Sequence, residues 1–374
     1  MTASNLPRWK KNLLVFCPNR KDATSFYRGW MPLVTLGKQL EPWMNFISAS
    51  EYDWSTMAMA DALFMQRPYR KEHWQMVEMA KSMGKKVWVD YDDWLLGVPT
   101  DNPAYMQYEE PDVKRNIVKI VAAADEITVS TSHLAKLIQR DIGKIADRDL
   151  PITVVSNALP LDILAHKRPE VARQRNRLVQ WRGSNTHHRD VMSQAKPIIE
   201  ACRANKNWHF SFLGDALWFI TDMMPHENVT ISKPIDPIEY FEYINKVAPS
   251  VMIVPLHDSD FNRAKSNIAY LEAAYAGAVT IAPDWEEWRH PGVLNYTDQA
   301  SFAKALEHVM SGYIDVIDLA QTAWDHVRKN FDLRLKNVVR ADIFGRLTGL
   351  PSEELAFEAR QTVWANQEQF GLRL

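Results

Sequence analysis

Residues 261–277 read Phe261-Asn-Arg-Ala-Lys-Ser-Asn-Ile-Ala-Tyr-Leu-Glu-Ala-Ala-Tyr-Ala-Gly277. The stretch opens polar and basic and continues as an apolar helix. Gly277 stands where a helix ends on a left-handed residue. Ser266 is placed to cap the helix start. The unpaired N–H groups of the first turn, at Ser266 and Asn267, and the helix dipole make a site for phosphate. Arg263 and Lys265 stand just ahead and add positive charge. Glu272 joins Ile268, Leu271 and Tyr275 at i, i+3, i+4, i+7 spacing, which puts it on the apolar side of the helix. A carboxylate there is costly unless something binds it. A ribose diol could do so with two hydrogen bonds, and an edge-of-stripe Glu reaching water or a nearby cation is the plain alternative.

Working outward, strands and helices alternate. Before the segment come strands at Leu178–Trp181, His209–Leu213, Val229–Ser232 and Val251–Pro255, and Val279–Pro283 follows. Helical spacing covers Arg189–Ala204, Pro237–Val247 and Ser266–Ala276. The first half repeats the pattern, with strands at Asn12–Cys17, Phe46–Ser50, Ala62–Gln66, Lys86–Asp90, Glu126–Ser130 and Ile152–Ser156. Its helices are Lys71–Met83, Asp112–Ala124 and Ser132–Arg140. Such alternation predicts parallel sheets covered by helices. The basic stretch His166–Arg177 marks a boundary. From Asp298 onward the chain reads as helical, with breaks near Gly312, Gly345 and Pro351. The expectation is α/β: a Rossmann-like domain over 1–160, a second over 161–331, and helices over 332–374 that cross back to the first.

Unusual polar residues sit at the carboxyl ends of these strands, where ligands bind in such sheets. Asp90-Tyr-Asp92-Asp93 follows Lys-Lys-Val-Trp-Val. Ser130, Asn157, Arg182-Gly183-Ser184, Gly214-Asp215 and His257-Asp258 follow other strands. Their recurrence in both halves predicts two domains facing across a cleft.

The chain has 374 residues, 46% hydrophobic and 24% charged, so general disorder is excluded. Its 13 glycines are about half the usual share, which excludes collagen-like and glycine-loop architectures. The net charge is −2, yet residues 1–89 carry 13 Lys+Arg against 7 Asp+Glu, or +6. That stretch could face an anion or be a solvated surface. Cys17 and Cys202 fit no metal spacing and read as buried free thiols of a reducing compartment. No apolar run is long enough to span a membrane, and the N-terminus lacks a signal-peptide pattern. These features predict a cytoplasmic protein. No Ser–His–Asp arrangement or P-loop can be assembled.

The 261–277 segment resembles the loop and helix of retaining GT-B glycosyltransferases that use nucleotide sugars, of the group 1 or family 4 type. Glu272 takes the second Glu of their Glu-x7-Glu pattern, Ala264 stands at the first, and Asn262–Ser266 matches the Asn-x-x-Lys-Ser loop of many relatives. Trp181-Arg-Gly-Ser-Asn-Thr-His187-His-Arg-Asp190 resembles their Trp-x-Gly-Ser-x-Thr-His-x-x-Asp turn. Gly183 would let backbone approach a phosphate. Arg182 and His187 have the spacing of the group's diphosphate-binding Arg and Lys. In the first half Gln66-Arg67-Pro68-Tyr69, Gly84–Asp93, Thr128–Thr131, Val155–Ala158 and the loop-like Tyr27-Arg28-Gly29 with Pro32 also match.

The resemblance implies transfer of a glycosyl group from a nucleoside diphosphate sugar, a UDP-sugar foremost, to an acceptor hydroxyl, with retention and without a metal or other cofactor. Arg182 and Lys265 would stabilise the leaving diphosphate. Gly183, Ser184, His187, Arg263, Ser266, Asn267 and Glu272 would hold the donor, and backbone around Lys233–Ile235 would frame the base. For Asp92 and Asp93 three roles stand open: loop capping, a divalent metal, or an acceptor hydroxyl. The acceptor is a glycan or a hydroxymethylated base in DNA. The DNA case makes the chain a phage DNA-modifying enzyme of a host cytoplasm, with Trp9, Tyr27, Trp30, Trp43 and Tyr69 beside the basic stretch. The alternative is a non-catalytic nucleotide-sugar or nucleic-acid binding protein of the same fold.

Overall fold

The computed structural model describes residues 10–17, 22–49, 53–164, 176–214 and 217–369. Most of the basic stretch 166–177, together with Trp9, Ser50 and Asp215, lies outside them. The chain divides into two compact units. One is Met1–Trp94, Glu110–Pro160 and Asp332–Leu374; the other is Leu95–Glu109 and Leu161–Phe331. Each contains one six-stranded parallel sheet.

In the first unit the strands are β1 (Lys11–Phe16), β2 (Met44–Ala49), β3 (Ala62–Gln66), β4 (Lys86–Tyr91), β5 (Glu126–Val129) and β6 (Ile152–Val154), in the order β2-β1-β3-β4-β5-β6. All of β3 is buried, as expected for a strand covered on both faces, so its sequence runs apolar without alternation. In the Lys71–Ser82 helix, Met76 and Ala80 are fully buried. Tyr27 and Arg28, read as loop, belong to a helix, Ala23–Arg28, whose N-cap Asp22 accepts from Ser25 N at 2.6 Å. A second helix, Trp30–Gln39, follows Gly29, with Pro32 in its first turn.

The helices Leu333–Thr348 and Ser352–Gln369 belong to this unit. Ala341, Ile343, Phe344 and Leu347 share a core cluster with Leu13, Leu33, Phe64 and Trp88. The expected break at Gly345 is absent. That helix ends at Gly349, at φ 72°. Gly345 is glycine for another reason: a Cβ there would lie 2.6 Å from Ser352 Cα, where the next helix crosses.

In the second unit the strands are β7 (Asn176–Arg182), β8 (His209–Leu213), β9 (Val229–Ser232), β10 (Pro249–Ile253), β11 (Val279–Pro283) and β12 (Val293–Tyr296), in the order β12-β11-β10-β7-β8-β9. The strand β12 has four residues at the sheet edge, too few for a period to stand out. The helix expected over Arg189–Ala204 is two helices, His188–Met192 and Ala195–Ala204, after a 3-10 turn at Asn185–His187. The helix expected from Ser266 begins at Ile268 and ends at Gly277, at φ 69°. The Pro237–Val247 helix starts on Asp236, which accepts from Ile238 N at 3.0 Å, with Pro237 in first place.

Each sheet reverses its order once, between β1 and β3 and between β7 and β10. A crevice opens at the carboxyl ends of the two strands at such a point. In the second unit those ends are Arg182 and the residues after Ile253.

Candidate active site

The turn after β7 is held by backbone. Gly183 N donates to Leu213 O at 3.0 Å, and Gly214 N donates to Ser232 O at 2.8 Å. Gly214 is at φ +114°, and a Cβ there would stand 2.0 Å from Gly183 O. Gly183 is also needed by its neighbour, since its Cβ would lie 2.5 Å from the Trp181 ring. Ser184 Oγ lies 2.7 Å from Thr186 Oγ1.

Asp190 joins this turn to the loop after β10. One of its oxygens meets His187 Nδ1 at 2.9 Å. The other accepts from His257 N at 3.1 Å and Asn262 Nδ2 at 2.5 Å. Burial works to raise the Asp190 pKa. The His187 ring, Lys265 and the His257 amide outweigh it and hold the carboxyl below its ordinary value. Asp190 therefore remains an ionised anchor, and Asn262 is the residue through which the 261–277 segment meets it.

Arg182 Nε donates to Glu272 Oε2 at 2.5 Å, with side-chain exposures of 30% and 4%. The structure thus gives the buried carboxylate a cation. The Tyr240 hydroxyl is buried beside both groups without a hydrogen bond of regular geometry. Burial, then the Glu272 charge, push its pKa well above the usual value. Lys265 Nζ lies over the Phe261 ring at 4.9 Å from its centre. Burial, then the Lys265 charge, lower His187; Asp190 opposes them and Arg182 adds to them. Lys265 and Arg182 therefore both act on His187 at the β7–β10 crevice.

Other expected residues face elsewhere. Arg263 is taken by Asp258, at 2.6 and 2.8 Å, and lies over Trp285 at 5.0 Å. Ser266 is not the N-cap. That place is Asn267, whose side chain meets His290 Nε2 at 2.8 Å. The Asn267 amide, expected to meet phosphate, lies 3.4 Å from Glu287 Oε1. A carboxylate of the chain itself thus faces the helix start, and Arg182 and Lys265 are left as the main positive charges of the site. Beside them, Asp101 and Asn102 from segment 95–109 face Arg189 and Thr186, at 3.2 and 3.4 Å. A cavity of about 120 Å³ lies among these residues, His257 and Asn262.

In the first unit Arg28 is 1% exposed. It grips Asp90 with two bonds of 2.9 and 2.7 Å and reaches Val155 O and Asn157. Arg67, at φ 46°, donates to Asp92 at 2.9 Å and to Asp93 at 2.7 Å. Burial raises the Asp92 pKa against the opposing charge of Arg67.

The basic character of the N-terminal stretch changes in three dimensions. Residues 1–89 stop just short of Asp90, Asp92 and Asp93, which pair with Arg28 and Arg67, and they omit Asp125, which pairs with Lys81 and Lys86. Over the whole first unit, 26 Lys+Arg face 23 Asp+Glu, so +6 falls to +3. Two of the five expected aromatics are also corrected, while Trp30 and Tyr69 are part-exposed. Tyr27 and Trp43 are buried, packed in the core rather than presented to a base.

The sequence reading missed Asp190 as the hub, Tyr240 beside Glu272, and Arg67. Asp190 stood inside a quoted motif, and its position at a helix start after two histidines was the available signal. Tyr240 gave none, because a buried tyrosine reads as core.

No protein-family model matches the sequence, and no curated protein matches it. Solved structures do. A glycosyltransferase from Rickettsia africae ESF-5 matches with a TM-score of 0.63 at 10% identity, over 90% of this chain and 98% of that one. Anabaena Alr3699/HepE in complex with UDP matches with a TM-score of 0.60 at 10% identity, over 90% and 100%. An alpha-glucosyltransferase in complex with UDP and a 13-mer DNA containing a HMU base matches with a TM-score of 0.62 at 10% identity, over 89% and 98%. At such identities the likeness establishes the fold, which is that of the GT-B glycosyltransferases: two Rossmann-like units and a C-terminal helical segment.

Proposed function

We propose that the chain is a glycosyltransferase that moves a sugar from a UDP-sugar to an acceptor hydroxyl, with retention and without a metal. One observation carries this: Arg182, His187 and Lys265 converge with Glu272 at the order reversal of the second sheet. That is where nucleotides bind in such sheets. Structures of similar fold hold UDP. The reaction separates a sugar from a diphosphate, on which negative charge grows. Preorganised cations in a partly buried site stabilise that charge best. Arg182 and Lys265 do this, Glu272 takes the ribose diol, and Gly183, Ser184 and the backbone of Lys233–Ile235 shape the rest of the donor site, with Asn267 turned to His290 and Glu287. Arg263 and Ser266 stand at its border.

Asp92 and Asp93, oriented by Arg67, receive the acceptor hydroxyl at the carboxyl end of the first sheet. The near balance of charge in the first unit favours a saccharide as acceptor. The DNA reading rests on the likeness to the DNA-bound alpha-glucosyltransferase. Mass spectrometry of products from a panel of nucleotide sugars, with glycans and hydroxymethylated DNA as acceptors, tests both. Transfer to a glycan or to DNA assigns the acceptor. If no donor is hydrolysed or transferred, and Glu272→Ala leaves UDP affinity unchanged, the site is misread.

A further inference from the structure

His187 follows Arg182 by five residues, in the turn after β7. Its Nδ1 meets Asp190 at 2.9 Å. An ionised carboxylate only accepts, so the shared proton sits on Nδ1, and whenever the ring is neutral Nε2 is its bare nitrogen. Asp190 cannot turn away, because its other oxygen is held by His257 N and Asn262 Nδ2. Two cations act on the ring from other elements: Lys265, from the loop before the Ile268–Ala276 helix, and Arg182, from the end of β7. Arg182 has its own carboxylate in Glu272. On the His187 turn itself, Arg189 is directed to Asp101 and His257. Asp190 is then the anion that acts on His187. The side chain is 26% exposed, and its partial burial with the two cations holds the ring's pKa below the ordinary value against that anion.

Resting on the reading of this crevice as a diphosphate site, we propose that His187 takes up a proton when the diphosphate of a nucleotide sugar binds. The substrate thereby completes a third cation of its own site. Two negative charges beside Nε2 offset Lys265 and Arg182, and the Asp190 hydrogen bond then favours the imidazolium. The ring binds the anion with a charge-assisted hydrogen bond and loses its proton when the diphosphate leaves. Affinity is gained as pH falls from the bound ring's pKa toward the free ring's lower one. Above and below that window affinity does not change with pH. A lysine here would hold its charge with or without ligand, whereas within that window this ring carries charge only while the anion is bound.

Isothermal titration calorimetry with UDP-glucose tests this, because its diphosphate diester does not itself titrate near neutrality. Titrations at pH 7 in two buffers of different protonation enthalpy report proton transfer directly. A sizeable fraction of a proton should be taken up per ligand bound. Affinity should weaken as pH rises, by up to about tenfold per unit inside the window. Uptake should vanish in His187→Gln, which binds more weakly, and in His187→Lys, whose affinity should be independent of pH. Binding by the unaltered chain with no uptake between pH 6 and 8 would overturn the proposal, as would uptake that persists in His187→Gln. In both cases the diphosphate site itself stands. Absence of any UDP-glucose binding overturns that site reading and this proposal with it.

Discussion

Replacing Glu272 by Gln removes a charge while keeping the shape of the side chain. Glu272 is 4% exposed at its side chain and bound by Arg182 at 2.5 Å. Hydrogen bonds to a charged group contribute about 1.5–3 kcal/mol each, and neutral ones about 0.5–1.5 kcal/mol. A diol giving two bonds to the carboxylate therefore loses about 2–3 kcal/mol when the acceptor becomes an amide. The opposing effect is the release of Arg182, which the neutral Gln no longer holds back from the diphosphate. Arg182 is 30% exposed at its side chain, so its pairing is partly screened and its release returns no more than about 1 kcal/mol. Loss of the diol contact wins. UDP affinity should fall about 10–50-fold at 1.4 kcal/mol per factor of ten. Calorimetry with UDP and 2′-deoxy-UDP measures it. The unaltered chain should prefer UDP strongly, and Glu272→Gln should keep only the weaker preference of a neutral acceptor. Equal or tighter UDP binding by the variant would refute the ribose role and leave Glu272 as the counterion of Arg182.

Gly214→Ala places a Cβ against Gly183 O at φ +114°, and should lower stability by ~2 kcal/mol or more, seen as a clear drop in melting temperature; an unchanged melting curve contradicts the turn described. Arg28→Met strands the Asp90 charge in the first unit and should cost ~3–5 kcal/mol in urea unfolding, with the Asp90→Leu double variant recovering much of it; a cost under ~1 kcal/mol for the single variant is inconsistent with a buried pair. The Asp92 carboxyl is raised by burial and lowered by Arg67, so its charge is lost as pH falls through a value above 3.8. Transfer should accordingly have an acidic limb above that pH, moved higher by Arg67→Ala and abolished by Asp92→Asn; a limb that ignores both changes excludes Asp92 from the reaction. On the DNA reading, duplex binding should weaken steeply as salt rises, and an absence of binding at low salt removes DNA as the acceptor.

The parallel sheets were legible because a strand buried on both faces has to be apolar throughout, and the helices between them keep a 3.6-residue period. Both properties belong to short stretches of sequence. Helix limits were less legible where a tertiary contact decided them. Gly345 looks like a terminator, yet its missing side chain makes room for Ser352. The Ser193-Gln194 break between two short helices did carry a signal, Pro197, which is tolerated in the first turn of a helix and not within a continuous one. Segment 95–109 continues the first half of the sequence and belongs to the second unit. Nothing in a window of 15 residues carries that information, because it is set by contacts such as Asp101 with Arg189, 88 positions apart.

The site was legible to a different depth. A carboxylate on an apolar helix face must have a partner, so Glu272 stood out. The sequence could not choose between a ligand and the protein as that partner, and the structure supplies Arg182. Arg182 is also the residue expected at the diphosphate. On the proposed function, the two readings of Glu272 describe one site with and without a nucleotide, since a buried charge needs a counterion in both. Charge counting failed in the first unit for the same reason. A sum over residues 1–89 treats each charge as free, whereas Arg28 and Arg67 are bound to acids that begin at residue 90. Composition measures the charge a stretch carries, and only pairing determines how much of it a partner meets. For an anionic acceptor, the measure that matters is the +3 of the folded unit rather than the +6 of the N-terminal stretch.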